Sequence, residues 1–297
     1  MTLIRRCTGN PPRIALPKGA IDTQVHLYLP GFPARPGGPP LPAGDLPGPD
    51  QYRSVMRWLG IGRVVITQGN AHQTDNANLL ACLREMGDIA RGVAVITPET
   101  PAAEMEALAA AGVVGARIMD LPGGAVGLDR LEAIDARAAD IGWMLAIQFN
   151  GSALPDLAPR LARLRSRWVL DHHGKFLDGA GPAHLDALRR LIDGGRTWFK
   201  LAGCYEASRL GPPDYADVAA VSRAIAAHAP ERIVWGTNWP HNLIRTTEAY
   251  PDDARLADTV LGWLPDAAAL GRALVTNPEE LYGFPPFSDP SPAEATP

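Results

Sequence analysis

The sequence predicts a single α/β domain folded as a (β/α)8 TIM barrel, and three observations lead to this prediction. Short apolar, β-branched runs alternate with longer amphipathic stretches, which indicates parallel strands joined by helices. Eight such runs fit into 297 residues, a length at which a barrel forms one domain. No glycine fingerprint for a dinucleotide follows the first run, which argues against an open Rossmann-type sheet.

The predicted strands are rich in Val, Ile, Leu and aromatic residues. They are 21–27, 63–67, 92–97, 113–119, 143–149, 167–171, 197–201 and 232–236. The predicted helices carry apolar residues at i, i+3 and i+4, and several have proline in the first turn. The clearest are 75–86, 101–111, 128–141, 182–193 and 215–228.

Three stretches lie outside this alternation. Residues 1–19 form a predicted N-terminal extension, residues 20–284 the barrel, and residues 285–297 a disordered tail. A loop at 30–49 with eight prolines and five glycines follows the first strand, on the face where barrel active sites form. It is either a surface linker or a lid. We favour a lid, because structureless loops longer than about 12–15 residues are often functional.

Composition narrows the class of partner. Charged residues make up 20% of the chain and the net charge is −4, so nothing predicts binding to nucleic acid or to an anionic membrane. The three cysteines lack any zinc spacing and indicate free thiols in a reducing compartment. No apolar run reaches the roughly 18 residues of a membrane span. We expect a cytoplasmic protein with a small-molecule partner, and leave open whether it is a homo-oligomer.

Polar residues collect where the predicted strands end, and in a parallel barrel these ends surround one cavity. The candidates are Gln24, His26, Gln68, Asn70, Arg117, Asp120, Gln148, Asn150, Asp171, His172, His173, Lys175, Lys200, Tyr205, Arg209, Asn238, Trp239 and His241. So many polar residues at one barrel mouth indicate a small-molecule site.

Strand alternation decides which of the histidines faces the cavity. Gln24 and His26 are two residues apart and should both point inward, the alternative being a hydrogen-bonded pair in the core. His172 and His173 are neighbours and must point in opposite directions. We assign His172 to the cavity and a structural role to His173, with Asp171 as an orienting partner.

Arg117 ends an apolar strand, where a cation without an anionic partner is unfavourable. Its guanidinium is therefore predicted to bind a substrate carboxylate. The alternative is an ion pair with Asp120 or another acid. Arg209, in the loop after the seventh strand, is either a plain surface arginine or a second residue that binds the carboxylate, and Lys200 could face either side of its strand.

Two positions argue against a metal centre. A barrel hydrolase with a metal would be expected to carry His at position 24 and Asp at position 238, where this chain has Gln24 and Asn238. Two imidazoles and neutral amide oxygens fall short of the three protein ligands typical of catalytic zinc. We predict no metal and no other cofactor. A serine nucleophile is not expected either, because the Gly-x-Ser-x-Gly motif is missing.

Several long stretches resemble the amidohydrolase superfamily, in particular its branch of sugar-lactone hydrolases and pyrone-dicarboxylate hydrolases. They are 22–26, 28–31, 66–72, 115–124, 171–174 and 232–241, within a resemblance that covers about residues 19–283. The resemblance implies a TIM barrel of the amidohydrolase type. It also implies conversion of D-galactaro-1,5-lactone to the 1,4-lactone without a metal. Hydrolytic members of the branch carry His and Asp at positions 24 and 238, so the departure favours isomerisation.

On this hypothesis the reaction is an intramolecular acyl transfer, in which the 4-hydroxyl attacks the lactone carbonyl and the 5-oxygen leaves with a proton. His26 or His172 is the predicted proton shuttle, and the other imidazole and Gln24 would stabilise the oxyanion. The predicted roles of the remaining residues are to bind the substrate carboxylate (Arg117, Arg209), to orient hydroxyls (Asn238, Gln148) and to complete the binding site (Tyr205, Gln68, Asn70, His241). Two alternatives stay open: a sugar-acid lactonase and a non-catalytic barrel that binds sugar acids.

Overall fold

The computed structural model describes residues 3–288, and eight parallel strands within them form one sheet in which each strand pairs with the next along the chain. The strands are β1 (Ile21–Val25), β2 (Arg63–Thr67), β3 (Ala90–Ala94), β4 (Val113–Asp120), β5 (Met144–Phe149), β6 (Trp168–Leu170), β7 (Thr197–Leu201) and β8 (Ile233–Trp235). The first and last strands meet through a parallel bridge between Val25 and Trp239. The sheet is therefore nearly closed, and the predicted (β/α)8 barrel is confirmed.

Most of the helices follow the strands on the outside of the barrel. They are α1 (Pro49–Leu59), α2 (Ala77–Met86), α3 (Ala102–Ala110), α4 (Leu131–Asp140), α5 (Leu154–Leu161), α6 (Pro182–Asp193), α7 (Cys204–Ala207), α8 (Ala216–His228), α9 (Asp253–Leu261), α10 (Ala267–Gly271) and α11 (Asn277–Tyr282). None of the helices in residues 3–288 is long and apolar enough to cross a membrane.

Strand β3 is displaced from its predicted position of 92–97. Its pairing with β2 begins at Ala90, opposite Val64. At the other end, Val95 leaves the sheet because the Asn76 side chain takes over its backbone hydrogen bonds, accepting from Val95 N (3.0 Å) and donating to Val95 O (2.8 Å). The Asn76 side chain thus occupies the hydrogen-bonding position of a neighbouring strand and ends β3 early. The apolar content of residues 92–97 does not predict this end.

The strand β1 contains a bulge that sets the direction of its side chains. Asp22 pairs with Val64 and Val25 with Ile66, so two residues of β1 lie opposite one residue of β2. Such bulges redirect side chains and are frequent near active sites. Asp22 consequently faces α1, where it accepts hydrogen bonds from Tyr52 Oη (2.9 Å) and from the backbone of Thr237 (3.0 Å).

An apolar cluster fills the amino-terminal half of the barrel and closes that end. Inward-facing strand residues such as Val65, Val169 and Trp198 pack there against Leu281, Tyr282 and Phe284 from the chain's end. The chain continues along this surface, where Arg63 Nη1 donates to Pro285 O (2.9 Å). Residues 285–288 of the predicted tail thus lie against the barrel, and 289–297 are outside the described residues. The opposite, carboxyl end of the barrel remains open for a site.

Candidate active site

A cavity of about 280 Å³ opens at the carboxyl ends of the strands, near the lower end of the ~300–1,000 Å³ typical of small-molecule sites. Its polar wall comes from the strand ends and the loops that follow them. These polar residues are His26, Tyr28, Asn70, Arg117, Gln148, His172, Lys175, Glu206, Asn238, Asn242 and Arg245. The cavity thus combines several hydrogen-bonding groups with a wall of mainly positive charge.

The Pro/Gly-rich loop forms part of the cavity rim. Pro39, Pro40 and Pro42 line it. The loop is fixed to the loop after β2, since a Cβ on Gly38 would lie only 2.4 Å from Asn70 O. Proline supplies no backbone N–H donor, so this rim offers an apolar surface with little affinity for water. Its position accords with the lid hypothesis and not with a linker remote from the site.

The two cavity imidazoles are each held through Nδ1 by a backbone carbonyl. His26 Nδ1 lies 2.8 Å from Thr67 O, and His172 Nδ1 lies 3.2 Å from Ala202 O. A carbonyl only accepts, so each Nδ1 carries the proton and each Nε2 is left as an acceptor. Burial, aided by Arg117, lowers the pKa of His26 to about 3, and burial beside Lys175 puts the pKa of His172 well below its usual value. Both rings are neutral at pH 7.

His173, next in the chain, is turned away from this cavity. Its Nδ1 lies 2.9 Å from Ser222 Oγ, and its ring packs edge-on against Phe199 and Trp263. Both histidines have positive φ angles, 51° for His172 and 54° for His173, so the chain turns sharply here instead of continuing as a strand. The opposite orientations expected from strand alternation are thus produced by a left-handed turn.

Gln24 lies beneath His26 and is not among the cavity-lining residues. Its Oε1 accepts from Lys200 Nζ (2.8 Å), and its Nε2 is 3.4 Å from His26 Nε2. Lys200 Nζ is also 2.8 Å from Asp171 Oδ1, and neither charged side chain has solvent exposure. The ammonium fixes the orientation of the Gln24 amide, and Gln24 supports His26 from below. In this geometry it does not reach a substrate oxyanion.

Arg117 brings a buried positive charge to the cavity without an acid beside it. Its Nη1 donates to Gln68 O (2.9 Å) and Asn70 Oδ1 (2.8 Å), and its Nη2 donates to Gln148 Oε1 (3.3 Å). Within residues 3–288 no carboxylate forms an ion pair with it, and Asp120 instead accepts from Leu128 N. Burial lowers the pKa of Arg117, partly offset by the negative charge of Asp171. A buried guanidinium held by neutral groups is well suited to bind an anion.

A hydrogen-bonded chain holds Asn238. Asn238 Nδ2 donates to Tyr205 Oη and to Glu206 Oε1, both at 2.9 Å. Tyr205 Oη in turn is 2.7 Å from His241 Nδ1, and His241 Nε2 is 3.0 Å from Asp253 Oδ1. With both amide hydrogens engaged, the oxygen Oδ1 is the Asn238 atom available to a ligand. Tyr205 and His241 therefore act through Asn238 and are not themselves cavity-lining.

Gly203 shows how tightly this region is packed. It has a φ of +63°, and a Cβ there would lie 2.9 Å from both Asn238 Nδ2 and His172 Nδ1. Only glycine fits this conformation and this space. The chain after β7 can therefore approach both side chains and place α7, with Tyr205 and Glu206, at the cavity.

Two predicted binding residues lie elsewhere. The Gln68 side chain donates to Asp75 O (2.6 Å), and only its backbone oxygen contacts Arg117. Arg209 lines a separate cavity on the outside of the barrel, between the loop after β6 and α8, together with Asp217. Both residues are in or next to loops, where sequence spacing does not determine the direction of a side chain.

Sequence reasoning did not select Glu206 or Tyr28. Glu206 accepts from Lys175 Nζ at 3.2 Å as well as from Asn238. Tyr28 is buried at the cavity wall, and burial raises the pKa of its hydroxyl to about 12. The sequence feature that could have indicated Glu206 as a cavity residue is its position next to Tyr205 in the segment after β7.

The donor groups of this cavity do not suit a divalent metal. Among the described residues no three His, Cys, Asp or Glu side chains are grouped as ligands would be. The oxygen of Gln24 is already bound by the Lys200 ammonium, whose positive charge would repel a metal ion placed there. The absence of a cofactor remains a prediction.

Fold and site together define an α/β-barrel protein with a polar, anion-attracting cavity at the carboxyl end of the sheet. Comparison with known proteins makes the class specific: the Amidohydrolase family profile matches residues 21–284, and the chain belongs to that family. The resemblance inferred from its motifs is thereby confirmed.

Individual relatives cover nearly the whole chain. The D-galactarolactone isomerase of Agrobacterium fabrum (strain C58 / ATCC 33970) is 62% identical over 96% of this chain and 98% of its own length. The 4-sulfomuconolactone hydrolase of Rhizobium radiobacter is 32% identical over 94% of each chain. An apo crystal structure from Agrobacterium tumefaciens is 62% identical, covers 95% of this chain and 100% of its own, and superposes with a TM-score of 0.93.

Proposed function

We propose that the protein isomerises D-galactaro-1,5-lactone to D-galactaro-1,4-lactone by intramolecular acyl transfer. The observation that carries the proposal is 62% identity over 96% of the chain to a D-galactarolactone isomerase. The site supports it, because a buried Arg117 without an acidic partner suits a lactone that bears a free carboxylate.

In the proposed reaction, the lactone carboxylate binds the Arg117 guanidinium and places the ring among neutral acceptors. These are Asn238 Oδ1 and His172 Nε2, which can accept hydrogen bonds from substrate hydroxyls, whereas the single lone pair of His26 Nε2 faces the Gln24 amide (3.4 Å). The 4-oxygen then bonds to the lactone carbon, a tetrahedral oxyanion forms, and the bond to the 5-oxygen breaks. The reaction gains from proximity, because both oxygens belong to the same molecule and effective molarities reach ~10⁵–10⁸ M.

Positive charge near the reacting carbon would stabilise the oxyanion. Lys175 lines the cavity, is 8% exposed, and comes from the same turn as His172. A preorganised charge in a nearly dry site is worth far more than one in water. The sequence predicted His26 or His172 as the proton carrier, but burial lowers the pKa of both imidazoles and makes them weaker bases than free imidazole.

Hydrolysis is the alternative, since a 32% identical relative is a 4-sulfomuconolactone hydrolase. It requires activation of a water molecule by a base beside the carbonyl. Asn238 cannot accept a proton at neutral pH, and its amide is fixed by Tyr205 and Glu206. Isomerisation needs no such water, so the neutral side chain at this position favours it.

The test is to mix chelator-treated protein with fresh D-galactaro-1,5-lactone and to follow ring size by NMR at controlled pH. Appearance of the 1,4-lactone without consumption of base supports isomerisation. Free galactarate with one equivalent of base consumed would establish a lactonase. An unchanged lactone would contradict both enzyme activities on this substrate and leave a sugar-acid binding protein.

The free cysteines and the net charge bear on the location and partners of the protein. Cys7, Cys82 and Cys204 are free thiols, which accords with a reducing, cytoplasmic location. We expect no nucleic-acid partner on the basis of the net charge of −4. Light scattering after gel filtration decides whether the protein is a monomer or a homo-oligomer.

A further inference from the structure

A lactone isomerase must carry one proton from the attacking oxygen to the leaving oxygen. The group that does so must reach the cavity, accept the proton and release it again. Among the cavity-lining residues of the described chain, Glu206 is the single carboxyl group.

The carboxylate of Glu206 is held on both oxygens. Oε1 accepts from Asn238 Nδ2 at 2.9 Å, and Oε2 accepts from Lys175 Nζ at 3.2 Å. Its side chain is 11% exposed, so it is nearly dry but open to a ligand. Each carboxylate oxygen has a second lone pair, so one hydrogen bond per oxygen leaves capacity for a proton. The two contacts fix the plane of the carboxylate without saturating it.

The imidazoles are less suited to carry this proton. In both His26 and His172 the Nδ1 proton is committed to a backbone carbonyl, and burial disfavours a second proton on the ring. A neutral ring of this kind accepts a hydrogen bond from a hydroxyl but gains a full proton at high cost. His172 is therefore better fitted to orient a substrate hydroxyl, and His26, whose Nε2 faces the Gln24 amide, to form part of the cavity wall.

We propose that Glu206 is the proton-transfer residue of this site, with Asn238 and Lys175 as its positioning residues. The proposal rests on the isomerase function proposed above. Glu206 accepts the proton of the 4-hydroxyl as the bond from O4 to C1 forms, and the lactone carbonyl becomes an oxyanion. When the oxyanion collapses and the bond from C1 to O5 breaks, Glu206 returns the same proton to O5. No other reactant is consumed, and the carboxylate is regenerated.

The first test is the isosteric variant Glu206→Gln, which keeps an acceptor and the shape but cannot carry the proton. We expect kcat to fall about 10²–10⁴-fold, the range for loss of a general acid–base group, with KM within about threefold of the unsubstituted protein. Glu104→Gln, an exposed change of the same type on α3, is the matched control and should leave both constants unchanged. Retention of kcat within about threefold in Glu206→Gln would overturn the proposal.

A second test separates proton transfer from support of Lys175. Glu206→Ala opens space beside Asn238, and added formate should restore at least about tenfold of the lost activity in a concentration-dependent manner. If Glu206 only neutralises Lys175, a weakly basic anion such as nitrate would restore the activity of Glu206→Ala as well as formate does. That result would assign Glu206 a structural role. Failure of the unsubstituted protein to isomerise the lactone would instead refute the proposed function itself.

Discussion

Asn238→Asp gives the sharpest test of how this cavity separates isomerisation from hydrolysis. The change replaces the amide donor with a carboxylate oxygen that faces Glu206 Oε1, at the distance of 2.9 Å that the amide has now. Tyr205 Oη also loses the hydrogen bond that it accepts from Asn238 Nδ2, while it still donates to His241 Nδ1. One substitution therefore removes two hydrogen bonds and creates a carboxylate pair at the cavity wall.

The electrostatic size of this change follows from the geometry. Two negative charges 2.9 Å apart repel by about 6 kcal/mol at an effective dielectric constant of about 20. A repulsion of that size exceeds the cost of binding a proton at neutral pH, so the pair should share one proton and titrate as a unit. Below its upper pKa value the pair is singly charged. Above it, position 238 carries a free carboxylate that can activate water.

The expected result is a product ratio that depends on pH. Asn238→Asp should isomerise more slowly than the unsubstituted protein and should release a growing share of free galactarate as pH rises from 6 to 9. NMR separates the two lactones and the diacid, and base consumption in a pH-stat measures hydrolysis independently. Asn150→Asp is the matched control, because Asn150 Nδ2 also donates to a carboxylate oxygen, of Asp178 at 2.9 Å, outside the cavity. A constant product ratio in Asn238→Asp from pH 6 to 9 would refute this reasoning.

Three further predictions concern charged groups around the cavity. Arg117→Ala should raise KM for carboxylate-bearing lactones about 10–100-fold through loss of charge-assisted hydrogen bonds, and an equal loss on a neutral aldonolactone would contradict carboxylate binding. Lys200→Met should lower the free energy of unfolding in urea by about 3–5 kcal/mol because Asp171 is left as a buried, unpaired charge, whereas Lys200→Met with Asp171→Asn should recover much of it. Burial raises the pKa of Asp22 to about 6, above the unfolded value of about 3.9, so the native state binds the extra proton and this group's contribution to stability falls by roughly 2 kcal/mol from pH 4 to 6. The lowered pKa of His26 instead destabilises the native state as pH falls. Asp22→Asn removes the compensating effect of Asp22, so its free energy of unfolding should fall more steeply on acidification than that of the unsubstituted protein. An unchanged dependence of that free energy on pH, measured by urea unfolding, would contradict the raised pKa of Asp22.

The barrel could be predicted from the sequence because its determinants are local and repeated. Strand runs such as β4 and β5 are apolar on both faces, as expected of parallel strands covered by helices. Helix α1 was not among the clear predictions, although Pro49 at its start and Gly60 with a φ of 84° after its end mark both termini. Because Pro49 is the last of eight prolines in residues 30–49, it was assigned to the loop and not to the first turn of α1.

The strand ends indicate which parts of the chain form the cavity, but they do not give the direction of every side chain there. Arg117 and Gln148 occupy fixed positions near the ends of β4 and β5, and both line the cavity. Gln68 follows β2 at the start of a loop, and its side chain turned toward that loop's own backbone. Glu206 reaches the cavity only because Gly203 adopts a left-handed conformation, which no pattern of apolar residues encodes.

The charge arrangement explains why a neutral residue at position 238 suits this cavity. Lys175, Arg117 and Lys200 bring three cations to its wall and floor, whereas the acids Glu206 and Asp171 are each bound to one of the lysines. Within residues 3–288, Arg117 is the buried cavity cation that has no ion pair with an acid, and a substrate carboxylate can neutralise it. An aspartate at position 238 would add a second negative charge beside Glu206, compete with the substrate for these cations and provide a base for water. Asn238 avoids both effects while its two N–H groups hold Glu206 and Tyr205, so the same side chain that suppresses hydrolysis also positions the acid proposed to carry the proton.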